Sequence, residues 1–151
     1  FNRVPRLLTL SRAARLVVSL AGKWVRAYDE DRKPIAFFPC SIGRDATKRP
    51  VGKLQVTRCA RDPVFVFDPA VFPENEEART IPSKLIVPPG PNNPVGVAWI
   101  GLNLPGYGLH GTPHPEDIGK TESHGCFRLA NWNASKLLTM VGVGLQVVVE
   151  P

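Results

Sequence analysis

Proline and glycine interrupt this chain so often that no long helix can be its framework. Sixteen prolines and thirteen glycines fall among 151 residues, about a fifth of the chain where roughly 12% is usual. Each proline fixes φ and removes a backbone donor, and each glycine opens turn conformations, so short segments between turns become the building units. Hydrophobic residues make up 43% and charged residues 21%, enough apolar material to offset ordering entropy, which excludes intrinsic disorder. A mass of 16.5 kDa fits one core of ordinary size. No apolar run approaches the roughly 18 residues that cross a bilayer.

Between the turns the segments read as strands. Leu16 to Leu20, a turn at Ala21-Gly22-Lys23, Trp24 to Tyr28, a charged turn from Asp29 to Lys33 and Ile35 to Cys40 form a β-meander signal. Leu54 to Arg58, Val64 to Phe67, Val95 to Leu102 and Leu145 to Glu150 continue it, each rich in β-branched or aromatic residues. The expected fold class is mainly β, a mixed sandwich or barrel with one short helix in the C-terminal half. That helix is marked by Ala134, Leu137, Leu138 and Val141 at i, i+3, i+4 and i+7. Asn133 is its expected N-cap, Trp132 and Leu137 its hydrophobic staple, and Gly142 and Gly144 its left-handed end.

Seven prolines between Asp68 and Pro94, with Glu74, Glu76 and Glu77, predict a long ordered loop without regular structure over most of its length. It covers substrate or is a plain surface excursion. Residues 1–13 read as a linker or the remnant of an upstream region, and residues 14–151 as one domain. The start at Phe1 rather than Met implies that something upstream has been removed.

Net charge is +6, and Arg3, Arg6, Arg12, Arg15, Lys23 and Arg26 all precede the first acid, Asp29. That concentration favours a polyanion such as nucleic acid, a membrane surface or a carboxylate-rich wall polymer, against the plainer reading of a solvated basic face. Scattered arginines without interleaved aromatics argue against nucleic acid. Three cysteines make no disulfide framework, and no CxxC pair marks a zinc knuckle. Cys40 and Cys59, at the ends of separate strand candidates, are expected to pack, and could pair only if those strands are neighbours.

The chemistry concentrates late. All three histidines, His110, His114 and His124, lie close ahead of Cys126 in a window crowded with Gly and Ser. Two small-residue turns, Gly106 to Thr112 and Ser123 to Leu129, each present a reactive side chain. A free thiol is mostly protonated at neutral pH, and a nearby imidazolium stabilises its anion, so a Cys–His pair is the cheapest nucleophile available. The amides of Gly125 and Cys126 are candidates for an oxyanion hole, because Gly125 permits close approach of a reacting carbonyl. Arg128 offers a planar fork for a substrate carboxylate. A zinc set of His110, His114, His124 and Cys126 is the competing reading, weakened because Pro113 and Pro115 disfavour the helix that would align the first two. Trp24, Trp99 and Tyr107 are candidates for core or groove lining, and Tyr107, in a Gly-flanked turn, is the one placed to meet substrate.

His110-Gly111-Thr112 followed by Ser123-His124-Gly125-Cys126-Phe127-Arg128 resembles the signature of the L,D-transpeptidase catalytic domain of the YkuD type. Ser41-Ile42-Gly43 with Pro50-Val51-Gly52, and Pro88 through Pro94 leading to Trp99, are similar to other parts of that family's pattern. Arg49 departs from it before Pro50, and Phe127 stands where a smaller aliphatic is common. The resemblance covers roughly residue 14 to the end. It implies an enzyme acting on peptidoglycan stem peptides, with Cys126 as nucleophile, His110 as base and the Gly111 carbonyl orienting that imidazole in place of a carboxylate. Ser123, His124, Arg128 and Tyr107 would bind substrate or shape the site, while Glu116 and Asp117 could meet substrate amines. It further implies 3→3 cross-linking, or carboxypeptidase or endopeptidase action from the same residues, acylation by carbapenem β-lactams, an extracytoplasmic location, and no metal or organic cofactor. A non-catalytic wall-binding module is the rival from another class.

Overall fold

The computed structural model describes residues 12–71, 83–123 and 126–151. Arg3, Arg6, Pro73, Pro82, Glu74, Glu76, Glu77, Gly125 and His124 therefore lie outside the described residues, as does nearly all of the expected 1–13 linker. Among the described residues twelve strands, β1 (Arg15–Ser19), β2 (Trp24–Tyr28), β3 (Pro34–Pro39), β4 (Ile42–Gly43), β5 (Gly52–Arg61), β6 (Phe65–Phe67), β7 (Leu85–Val87), β8 (Ala98–Leu102), β9 (Gly108–His110), β10 (Thr121–Ser123), β11 (Phe127–Arg128) and β12 (Gln146–Glu150), accompany one α-helix, α1 (Asn131–Met140). Eight strands join in one mixed sheet, ordered β11-β9-β8-β5-β12-β1-β2-β3, and β10-β4 and β6-β7 form two small ones. The fold is thus mainly β with one helix, as the turn density predicts.

The long strand β5 makes this one curled sheet rather than two. Its first half pairs with β12 and its second half with β8. The register slips between Val56 and Arg58, and such a bulge bends a strand and increases its twist. Leu16, Val18, Val25, Phe38, Val56 and Ile100 turn into the concave side, where α1 contributes Ala134, Leu137 and Met140 to the core. The meander β1-β2-β3 pairs antiparallel as expected, while β12 returns parallel to β1.

The helix differs from expectation at both ends. Its N-cap is Ala130, with no side-chain cap, and Asn133 lies within the first turn. Trp132 is 67% exposed and staples nothing. The entry is fixed instead by tertiary bonds from Asn131, described below. At the far end Val141 is extended, and the left-handed glycine, Gly144, belongs to the next turn, which feeds β12. The proline-rich stretch also contains regular structure: Leu85–Val87 pairs antiparallel with β6, because three β-formers fit between Pro82 and Pro88. Cys40 and Cys59 remain thiols; Cys40 is fully buried in the core, and burial pushes it up to about 12.

Candidate functional site

The site forms at the end of the sheet where β9 and β11 run side by side. Their register pairs Leu109 with Phe127 and His110 with Arg128, in parallel. Leu109 and Phe127 are fully buried on the core side, so strand alternation sends Gly108, His110, Arg128 and the preceding Cys126 to the other face. The two reactive segments expected as turns are therefore strand ends. Gly108 must be glycine at this point: a Cβ there would lie 2.7 Å from the Ile100 carbonyl oxygen and 2.8 Å from the Trp99 ring.

His110 is 5% exposed and held from two sides. Trp99 stacks on it with ring centroids 5.5 Å apart and planes 24° from parallel. Its Nδ1 lies 2.6 Å from the Gly111 carbonyl oxygen. A carbonyl can only accept, so Nδ1 carries the hydrogen and Nε2 keeps a lone pair. Burial lowers the imidazole to about 4, against the bond to Gly111, which favours the cation, and with help from the nearby Arg128 charge. The ring is neutral at pH 7.

Cys126 is half-buried, and its thiol donates to the Gly106 carbonyl at 3.3 Å. Burial raises its pKa, opposed by a bond from the Gly108 backbone and by the Arg128 charge. Both groups are held neutral, which differs from the ion pair that the sequence suggests. The reason is desolvation, which penalises both charged forms before substrate arrives.

Arg128 binds the frame through its backbone, which exchanges hydrogen bonds with Ser41 at 2.8 and 3.2 Å. Its side-chain Nε is buried and has no hydrogen-bond partner among the described residues, an arrangement that favours an incoming acceptor such as a carboxylate. Tyr107 lies half-buried in the turn ahead of β9, its amide bonded to the Leu104 carbonyl. Ser123 ends β10, which pairs with β4. His114 stands apart, exposed and 3.2 Å from Glu116. Asp117 bonds Lys120 at 2.8 Å, leaving neither acid unengaged. Among the described residues no three His, Cys, Asp or Glu side chains converge to hold a metal.

Beside the histidine lies a cleft of about 400 Å³, lined by Arg58, Val64, Val66, Asp68, Trp99 and Gly106 among others. Trp99 and Gly106 connect it to the imidazole and the sulfur. Sequence reasoning did not anticipate Gly106 as a thiol partner or Asn93 and Asn131 as supports. Asn93 is 2% exposed, and its Nδ2 donates to the carbonyls of Pro63, Val87 and Pro88 at 3.0–3.3 Å. It ties the β6-β7 ribbon to the approach of β8. An asparagine in a Pro/Gly-rich stretch is the signal that could have marked it.

A family model described as the L,D-transpeptidase catalytic domain, YkuD, matches residues 13–149. The chain belongs to the YkuD L,D-transpeptidase family. Curated relatives of this L,D-transpeptidase domain include a protein named L,D-transpeptidase YkuD from Bacillus licheniformis, 29% identical over 91% of this chain and 66% of its own length. Another, named L,D-transpeptidase ErfK/SrfK, from Salmonella typhimurium, is 31% identical over 95% of this chain and 47% of its own. The chain thus spans between about half and two thirds of the length of these relatives. Among solved structures, an L,D-transpeptidase from Mycobacterium smegmatis superposes with a TM-score of 0.67 at 23% identity, over 90% of this chain and 58% of that one. The catalytic domain of the E. faecium enzyme, solved acylated by ertapenem, gives 0.64 at 21% identity, over 92% and 98%. These likenesses place the transpeptidase domain in the same fold.

Proposed function

We propose that this domain is a peptidoglycan L,D-transpeptidase in which Cys126 is the nucleophile and His110 the general base. The observation that carries the reading is the 2.6 Å bond from His110 Nδ1 to the Gly111 carbonyl, which leaves the Nε2 lone pair to accept a proton. His110 Nε2 takes the thiol proton as sulfur attacks the carbonyl of the third stem residue, a diamino acid. The C–S bond forms, the peptide C–N bond breaks, and His110 returns the proton to the departing D-alanine amine. A thioester remains. An amine from a neighbouring stem then attacks it, His110 accepts the amine proton, and the thiol is regenerated as a 3→3 cross-link forms.

Several features support this cycle. A neutral imidazole is the form able to accept a proton, and a lowered imidazolium pKa makes return of that proton favourable. Arg128 Nε, buried without a hydrogen-bond partner among the described residues, would meet a substrate carboxylate, and the amides of Gly125 and Cys126 would receive the developing oxyanion, a contribution of about 3 kcal/mol per donor. The cleft beside Trp99 accommodates part of the stem peptide. Tyr107, Ser123 and His124 are the further residues assigned to substrate binding in this reading. Peptidoglycan lies outside the cytoplasmic membrane, so the domain acts extracytoplasmically, and carbapenem β-lactams acylate the same sulfur.

Incubation with a disaccharide-tetrapeptide, followed by mass spectrometry of protein and products, tests the reading. D-Alanine release, a thioester adduct on Cys126 and a cross-linked dimer are expected. Hydrolysed tripeptide alone would make water the acceptor and the domain a carboxypeptidase. Unchanged turnover by Cys126→Ala would refute the nucleophile, and binding without turnover by either form would leave a wall-binding module.

A further inference from the structure

We propose that Asn131 is a positioning residue for His110, acting through the Gly111 peptide; the inference rests on the reading of His110 as general base. The bond that selects the imidazole tautomer is only as well aimed as the carbonyl that receives it. Gly111 belongs to no strand, yet the peptide ahead of its Cα is clamped, which fixes one end of the unit that carries the Gly111 carbonyl. Its N–H donates to the Ala98 carbonyl at 3.2 Å, and the preceding carbonyl, of His110, accepts the Leu129 N–H at 2.8 Å.

Behind this peptide three residues meet without spare volume. A Cβ at Gly96 would overlap the Asn131 amide oxygen and lie 2.7 Å from both the Cα and the carbonyl carbon of Gly111. A Cβ at Gly111 would overlap the same amide oxygen and lie 3.2 Å from the Gly96 Cα. Gly96 also has φ +64°, a left-handed setting that glycine adopts without strain. Two glycines therefore press together with the Asn131 amide as their common wall.

That wall is itself fixed. Asn131 Oδ1 accepts the Val97 N–H at 3.2 Å, and Nδ2 donates to the Pro91 carbonyl at 3.2 Å. Both partners belong to the segment entering β8. The helix has no side-chain cap, so the Asn131 amide is committed to this segment and not to the first turn of α1. One amide thus holds the 91–97 segment and sets the space in which the Gly111 peptide rests. Without it, the Gly111 carbonyl gains room to rotate about the Gly111 Cα and ceases to single out Nδ1.

The test compares wild type, Asn131→Ala, Asn131→Asp and His110→Gln by ¹⁵N shifts of the His110 ring and by kcat and KM with a tetrapeptide donor. Wild type is expected to show the Nδ1–H tautomer. Asn131→Ala should show mixed tautomers, with kcat about tenfold lower and KM changed less than about twofold, as expected for a misplaced catalytic group. Asn131→Asp, which keeps the oxygen toward Val97 and loses the donor to Pro91, should recover most of kcat and serves as the readout if the alanine variant does not fold. A wild-type ring spectrum and kcat in both Asn131 variants would overturn the inference, as would losses of stability and activity with the tautomer unchanged. Full turnover in His110→Gln would instead overturn the role of His110, and the tautomer result would stand or fall separately.

Discussion

Acidification should destabilise this domain specifically through His110. An unperturbed histidine has a pKa near 6.5, and burial brings this one to about 4, so between those values the unfolded chain binds a proton that the folded one does not. Stability therefore rises with pH across this window: the contribution of the neutral ring is complete above pH 6.5 and is lost as pH falls toward 4. The difference between the two values corresponds to about 3 kcal/mol, a large share of the roughly 5–15 kcal/mol typical of a domain. Urea unfolding at pH 7 and pH 4.5 measures it. Asp45, Asp68 and Asp117, all held below the usual carboxylate range by hydrogen bonds, lose stability in the same direction, at lower pH. The informative quantity is therefore the wild-type loss minus that of His110→Gln, in which those carboxylates cancel. A difference of about 2 kcal/mol or more is expected over this narrower range. Equal losses in the two proteins would mean that His110 is hydrated in the native state, and the neutral-pair account of the site would fail.

Three further outcomes follow from packing and burial. Gly108→Ala drives a methyl into the Ile100 carbonyl and the Trp99 ring, which should cost about 1–3 kcal/mol in urea unfolding and slow acylation by a carbapenem. Retention of both wild-type values would show that Trp99 moves freely. Leu137, fully buried where α1 meets the core, should cost about 2–5 kcal/mol as Leu137→Ala, read by the same denaturation. Cys40, with its thiol pushed up to about 12, should resist thiol reagents at pH 8 until the protein is unfolded, whereas Cys126 is alkylated in the native state; labelling of Cys40 at the rate of Cys126 would contradict the burial.

Which features the sequence reveals follows from the range of the forces involved. The strand β2 and the burial of Ala134 and Leu137 are set by alternation and helical periodicity, both local, and they appear where expected. The caps of α1 do not, because Asn131 is engaged by Val97 and Pro91 across the fold, and no local rule anticipates a distant partner. Strand β9 was hidden for a related reason. Gly108 reads as a turn residue, but its missing side chain is required by Trp99 and Ile100 on the neighbouring strand. The motif that contains His110 and Cys126 is legible in the sequence; the protonation of the two side chains is not, since burial, which the sequence does not display, disfavours both charged forms.

The separation of those two residues along the chain has a structural cause. Adjacent antiparallel strands can be joined by two residues, but parallel neighbours need a crossover of roughly a dozen or more. His110 ends β9, and Cys126 immediately precedes β11, its parallel neighbour. The chain from Gly111 to Cys126 is that crossover, and it contains the short turn Pro115–Asp117 and the strand β10, which pairs with β4. Ser41 anchors it again, donating from its hydroxyl to the Asp117 carbonyl at 2.7 Å while its backbone pairs with Arg128. The crossover therefore sets the reach, and Ser41 couples its midpoint to the strand that follows Cys126. Shortening it by several residues would forbid the parallel register itself, and with it the pairing that sets His110 opposite Arg128 just past Cys126.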